Sequence, residues 1–257
     1  MNIFELPAAA AAYIIALVFV LGLVFGSFSN AWAWRIVHHE KISKGRSHCP
    51  VCGHTLAAKD LVPLFSWLSL KGRCRYCGAP IAKRYPLSEA VLGTYFLSVL
   101  LVRGVSWDCL RFWALGSLLL VMSLEDLDIM EIEDYLQIAA AALFLLRFRE
   151  AGFLKDALLG LIVAAVLLAL VLVMERVLKR DAMGGADIKL VAVFGLHFGA
   201  LQTLLLLVIA CIVGLIGAAA AKKGFGKEFP FGPALATAAW ITVLAGPQII
   251  NAYLSLF

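Results

Sequence analysis

Eight stretches of the chain are almost continuously apolar, and the charged residues collect between them. They run Ala8–Trp34, Leu87–Val102, Leu110–Leu124, Leu136–Leu146, Leu154–Leu178, Ile188–Leu201, Leu204–Ala221 and Ala234–Leu256. An element that is apolar all round has no wet face, and a helix needs about 20 such residues to cross a bilayer, within a range of about 17–25. The first, fifth, seventh and eighth blocks meet that length, while the fourth and sixth are short. The pattern predicts an all-α polytopic membrane protein of about eight transmembrane helices, with six or seven as the alternatives. Met1–Pro7 carries no Lys or Arg, and the block after it outruns the apolar region of a secretory signal. The first block therefore reads as a retained span.

Composition agrees with the pattern. Of 257 residues, 63% are hydrophobic and only 15% charged, against about 25% charged in a typical soluble domain. With a mean hydropathy of +0.94, a soluble enzyme and a disordered chain are both excluded.

The cations add a direction. Alternating sides through eight spans puts Arg35–Pro86, Glu125–Tyr135, Glu175–Lys189 and Lys222–Phe231 on one face, with 10, 0, 4 and 3 Lys/Arg, or 17 of the 22. The other face has only Arg103, Arg111, Arg147, Arg149 and Lys155. The positive-inside rule makes the first face cytoplasmic, with both termini outside. The net charge of +5 is then mostly a topology signal, and no nucleic-acid partner is expected.

The long first loop carries Cys49-Pro-Val-Cys52-Gly and Cys74-Arg-Tyr-Cys77-Gly, with twenty-one residues between the pairs. A Cys-x-x-Cys turn aims two thiolates at one point, and the following Gly permits the tight turn of a zinc knuckle. Two such turns supply four sulfurs for one zinc ion, a coordinatively closed and structural site. Disulfides are the competing reading, disfavoured by the reducing compartment that the charge bias implies. His48 and His54 read as flanking residues, and Cys109 and Cys211 as apolar fillers. The loop's net charge of +8, ten bases less Glu40 and Asp60, suits anionic lipid headgroups.

Two acidic positions stand out. From Leu124 to Asp134, six of eleven residues are acids and none is a base. Such a segment at a membrane edge must pair with something basic or carry a proton. The second position is Met183-Gly184-Gly185-Ala186-Asp187, where a carboxylate opens the sixth block. Membrane-edge acids are candidates for function because burying charge in lipid is costly. A helix cap at Asp187 and a solvated acidic turn are the structural alternatives. Two carboxylates on one water would perform aspartyl protease chemistry, one accepting the water proton and the other donating to the leaving group.

These residues match a family. The chain resembles the type IV prepilin leader peptidases, intramembrane aspartyl proteases of the Gly-x-Gly-Asp type, over nearly its whole length. Gly26-Ser27-Phe28-Ser29-Asn30, the paired Cys-x-x-Cys motifs, Arg84-Tyr85-Pro86-Leu87-Ser88-Glu89 and Pro230-Phe231-Gly232-Pro233 all correspond. The family's first catalytic Asp begins a stretch ending Ile-Pro-Asp/Asn, here Asp126 to Ile132-Glu133-Asp134, with Glu133 for Pro and Asp128 as the nearby competitor. Its second lies in Gly-x-Gly-Asp, here Gly184-Gly185-Ala186-Asp187, with Ala186 as in the archaeal preflagellin branch.

The resemblance implies Asp126 and Asp187 as catalytic residues and Cys49, Cys52, Cys74 and Cys77 as zinc ligands. It implies a first transmembrane helix over 1–34, a zinc loop linked to methyltransferase activity over 35–86, and a membrane aspartyl peptidase over 87–257. The implied activity is removal of a basic leader from type IV prepilins or type II secretion pseudopilins in the bacterial inner membrane, at the cytoplasmic face. N-methylation of the new terminus from S-adenosylmethionine would follow, although no Gly-x-Gly-x-x-Gly unit is present to bind that donor. A peptidase without methylation is the nearest alternative. A proton-coupled transporter using the two aspartates belongs to another class, but the chain shows no repeated halves. A zinc-bearing adaptor without catalysis would leave the paired acids unexplained.

Overall fold

The computed structural model describes residues 3–43, 45–148, 150–179, 183–220 and 229–256. Lys44, Arg149, Arg180, Lys222, Lys223 and Lys227, all counted in the charge bias, lie outside them. Among the described residues all regular structure is helical: α1 (Ala8–Val37), α2 (Phe65–Ser69), α3 (Arg84–Arg103), α4 (Trp107–Ile129), α5 (Asp134–Ala142), α6 (Phe153–Leu178), α7 (Gly185–Ala220) and α8 (Gly232–Leu254). Every apolar block falls on a helix. Five helices, α1, α3, α6, α7 and α8, are long and apolar enough to cross a membrane.

Burial runs opposite to that of a soluble protein. Helix α6 buries Ala157, Gly160, Ala164 and Val171, while Leu154, Leu158, Leu170, Val173 and Val177 are exposed. Small residues inside and large apolar residues outside belong to helices packed in lipid, where close backbone contact replaces the hydrophobic drive. The chain is a multi-pass membrane protein.

The chain divides into two compact units, Met1–Asp128 and Ile129–Phe257. In the first, α1 crosses α3 where a Cβ on Gly22 would stand 2.7 Å from Gly93 Cα, and one on Gly26 2.7 Å from Glu89 Cα. Asn30 Nδ2 donates across this crossing to Ser88 Oγ at 2.7 Å. Helix α4 is tied to α3 by the Tyr95 hydroxyl donating to Phe112 O at 2.8 Å, and by Trp113 Nε1 donating to Phe96 O at 2.9 Å.

In the second unit, α6 and α7 meet at Gly160 and Gly195, so closely that a Cβ on Gly160 would lie 2.1 Å from Gly195 O. Helix α5 tightens into a 3₁₀ turn, Leu143–Arg147. Arg147 Nη1 then donates to Leu196 O and His197 O at 3.1 and 3.2 Å. Those carbonyls lie just before Gly199, whose φ of 73° and ψ of −176° interrupt α7. The sixth apolar block and the described part of the seventh thus lie on one helix, whose non-helical residue Gly199 falls inside the sixth, with buried Arg147 meeting the carbonyls that the break releases.

Two boundaries differ from the sequence reading. Helix α1 runs past Trp34 to Val37, and α3 starts at Arg84 before Leu87, because amphipathic residues extend helices beyond their apolar cores. The acidic stretch is largely helical too, since α4 continues through Glu125, Asp126 and Asp128 to Ile129.

Candidate active site and metal centre

The two Cys-x-x-Cys turns fold as a matched pair. Cys49 N donates to His54 O at 3.0 Å and Gly53 N to Cys49 O at 2.8 Å; Cys74 N donates to Ala79 O at 2.8 Å and Gly78 N to Cys74 O at 2.9 Å. Gly53 and Gly78 have φ of 69° and 73°, the left-handed region that side-chain-bearing residues rarely enter. The bridges His48–Thr55 and Arg73–Pro80 close the two turns.

All four sulfurs lie within 4.8 Å of one another, and Cys49 Sγ is 3.9 Å from Cys77 Sγ. A zinc tetrahedron with 2.3 Å bonds requires edges of about 3.8 Å, so the cluster has the size of a metal site. The backbone N–H of Cys52 pulls the Cys49 thiol down to about 7 against the upward push of burial, favouring the thiolate that a metal needs. His54 stacks on Tyr76 at 3.6 Å and His48 stands edge-on to Trp34 at 5.4 Å, so both histidines flank the cluster.

Between the turns, Asp60 accepts from Arg75 Nε at 2.6 Å, from the Tyr76 hydroxyl at 2.9 Å and from Ala57 N at 3.2 Å. Its side chain is 3% exposed. The Arg75 hydrogen bond, aided by Tyr76 and opposed by burial, holds this carboxyl below its ordinary value. One acid of the loop therefore clamps the second knuckle to the segment between them.

The membrane acids separate into groups. Asp126, on the last turns of α4, is 6% exposed, and neighbouring Glu125 is fully buried. Asp128, the competing candidate, accepts both guanidinium nitrogens of Arg84 at 2.6 and 2.8 Å. Asp134 accepts from Lys189 Nζ at 2.6 Å. Two of the six acids thus have the basic partners that their position demanded, supplied by α3 and α7.

Asp187 lies in the first turn of α7, half-buried, its N–H donating to Gly184 O at 3.1 Å. A Cβ on Gly184 would stand 3.0 Å from Asp187 Oδ2, so a side chain at 184 would crowd the carboxylate. Asp126 belongs to the first compact unit and Asp187 to the second.

Sequence reasoning met Asn30 and Glu89 only as ends of motifs and gave neither a role; both are buried, at 4% and 7% exposure. The signal was present: each is a polar residue inside a strongly apolar helix.

Helices apolar enough to span a membrane and a cysteine cluster that could hold a metal ion mark a multi-pass membrane protein with an attached cysteine loop. Comparison with known sequences places the chain further. The bacterial peptidase A24 N-terminal domain matches residues 20–103, and the type IV leader peptidase family matches residues 113–219. A Stutzerimonas stutzeri protein named prepilin leader peptidase/N-methyltransferase is 33% identical over 91% of this chain and 92% of its own length. A Bacillus subtilis protein of the same name is 32% identical over 94% and 98%. An Escherichia coli type 4 prepilin-like proteins leader peptide-processing enzyme is 35% identical over 86% and 90%. No solved structure matches the chain. The chain belongs to the type IV leader peptidase family.

Proposed function

We propose that this protein removes the basic leader from type IV prepilins or type II secretion pseudopilins and then N-methylates the exposed terminus. The observation that carries the reading is the end-to-end match with relatives named for both activities, at 91% of this chain and 92% of one such relative. That end-to-end match supports both activities for this chain. The transporter alternative has no such support. An intact four-cysteine loop favours the bifunctional reading over a peptidase alone.

In this reading Asp126 and Asp187 act on one water. One ionised carboxylate accepts a proton as the water oxygen attacks the scissile carbonyl carbon. The other, protonated, delivers its proton to the leaving amine nitrogen as the C–N bond breaks. The pair titrates as a unit, and its apparent constants belong to neither residue alone. Asp128 and Asp134 keep structural roles through Arg84 and Lys189. A basic leader gains from the remaining acids near the membrane edge, while the hydrophobic stem stays in lipid.

Cys49, Cys52, Cys74 and Cys77 would hold zinc, a closed site that shapes the loop over 35–86 and takes no part in hydrolysis. S-adenosylmethionine supplies an electrophilic methyl group when bound. The peptidase domain occupies 87–257 behind the first helix over 1–34. Eight passes follow if α4, α5 with its 3₁₀ turn, and the two parts of α7 about Gly199 each count beside α1, α3, α6 and α8. With the cation bias, that count supports an active site at the cytoplasmic face of a bacterial inner membrane.

The test is direct. Purified protein, a synthetic prepilin and S-adenosylmethionine are incubated, and the product's N-terminus is read by mass spectrometry. Cleavage after the leader with one added methyl group is expected. Cleavage with no methylation under any donor concentration leaves a peptidase only, and an uncut prepilin overturns the whole reading.

A further inference from the structure

A cavity of about 360 Å³ opens between the cysteine loop and the loop-side ends of α1 and α3. Small-molecule sites span about 300–1,000 Å³. Glu89 lines this cavity, 7% exposed, its Oε2 accepting from Leu64 N at 2.8 Å. Among the described residues no Lys, Arg or His pairs with it. Asn30 lines it as well, 4% exposed. Its Nδ2 donates to Ser88 Oγ and Gly26 O at 2.7 and 3.1 Å, while its Oδ1 has no partner.

A buried carboxylate without a cation and a buried acceptor without a donor are both costly. An occupant that relieves the first is a cation that carries hydrogen-bond donors. Trp34 and Trp67 add indole surface to the wall, suited to a flat heteroaromatic ring and to positive charge. Beside Arg75, Glu40 and the Arg75-paired Asp60, Arg35 and Arg46 also line the cavity. Their hydrogen bonds go to backbone carbonyls, of Ile42 and Gly45 for Arg35 and of Leu56 for Arg46, so their charge stays available to an anionic group.

A molecule with a sulfonium, an ammonium, a carboxylate and a purine matches the Glu89 carboxylate, the indoles and the arginines of this lining. Resting on the methyltransferase reading above, we propose that this cavity is the S-adenosylmethionine site. Glu89 serves its cationic end, the indoles its adenine and the arginines its carboxylate. Cys49 and Cys74 form part of the same wall. The metal that shapes the knuckles therefore shapes the donor site, which gives the four-cysteine loop a physical connection to methylation.

Isothermal titration calorimetry of the detergent-solubilised full chain with S-adenosylmethionine tests this without turnover. Glu89→Gln is expected to weaken binding about 10- to 100-fold, the loss of a charged hydrogen bond. Ala31→Phe, which fills the cavity and removes no polar group, should weaken it comparably, with zinc content retained in both. Ultraviolet cross-linking of bound donor to the unaltered protein should label peptides carrying Trp34 or Trp67. Should Glu89→Gln not fold, Ala31→Phe and the label position still decide. Wild-type affinity in these variants, or a label elsewhere, in a protein that methylates overturns the assignment and leaves the methyltransferase reading standing. Unchanged donor affinity with a raised KM for cleaved pilin assigns Glu89 to the acceptor amine and likewise overturns it. A wild-type protein that neither binds the donor nor methylates removes both.

Discussion

Stripping the metal, or replacing Cys49 with Ser, should release the loop between α1 and α3 while the helices stay packed. That loop has almost no core of its own. Among the described residues between 38 and 83 the only buried apolar side chains are Cys49 and Cys74, each 7% exposed, whereas Val51, Phe65 and Leu68 are 71%, 68% and 64% exposed. Fully burying one Leu contributes about 1.5–3 kcal/mol, and no residue of the loop gains a full share of it. The Asp60–Arg75 pair, with Arg75 37% exposed, is worth about 0–1 kcal/mol at such a site. Structural zinc in small modules contributes about 10–16 kcal/mol, an order of magnitude more than the pair. Adding Cys74→Ser to Cys49→Ser should cost little further, because residues of one dismantled site are not additive. Limited proteolysis of the solubilised chain, with cut sites mapped and zinc measured, reads the effect. Cuts between residues 38 and 83 should appear on chelation, with little loss of helical signal, since the loop's α-helix is only the five residues of α2. A zinc-free preparation whose loop stays protected would refute the reasoning.

Asp126→Asn and Asp187→Asn should each lower leader cleavage by about 10²- to 10⁴-fold, and the double variant by no more than the worse single one, because a dyad acts as a unit. Near-normal cleavage by Asp126→Asn, with loss in Asp128→Asn, would move the first catalytic role to Asp128. Asp60 has a depressed carboxyl value, so its contribution is present above the ordinary value near 3.9 and lost as pH falls through the lower folded one. Loop protection in Asp60→Asn should fall short of wild type at neutral pH and converge with it in strong acid, as measured with an acid-active protease. Gly195→Val should push α7 off α6, since a Cβ there meets Gly160 C and O at 2.6 Å; overpacking costs about 1–3 kcal/mol, read as a lower Tm in detergent. A Tm matching wild type would count against the tight crossing.

Much of this architecture is legible in the sequence because lipid imposes a one-dimensional rule. Apolar runs become helices, and Ala8–Trp34 or Leu154–Leu178 leave no alternative. The knuckles are legible for a related reason: Cys-x-x-Cys-Gly fixes a turn through neighbours in the chain, so Cys49 and Cys52 converge whatever surrounds them. What the pattern hides is partnership across distance. Nothing along the chain announces that Arg84 takes Asp128 or that Lys189 takes Asp134, so the acidic stretch reads as a uniform loop when its first half is helix. The break at Gly199 is hidden as well, because a single glycine inside an apolar run carries the same hydropathy whether α7 passes through it or stops there.

The placement of Glu89 shows how the two kinds of information combine. A carboxylate in the second apolar run is, by hydropathy alone, a defect in a span. Gly26 on α1 faces Glu89 Cα so closely that a Cβ would stand 2.7 Å away, and that approach is what shuts lipid away from the carboxylate. Asn30, one turn further along α1, bonds Ser88 beside it and lines the same cavity. The helices carry the polar groups and the glycine crossing buries them. The knuckles, through Cys49 and Cys74, close the remaining side. A small-molecule site thus arises where two spans and a metal loop, each with a separate reason to form, meet around side chains that none of them would bury alone.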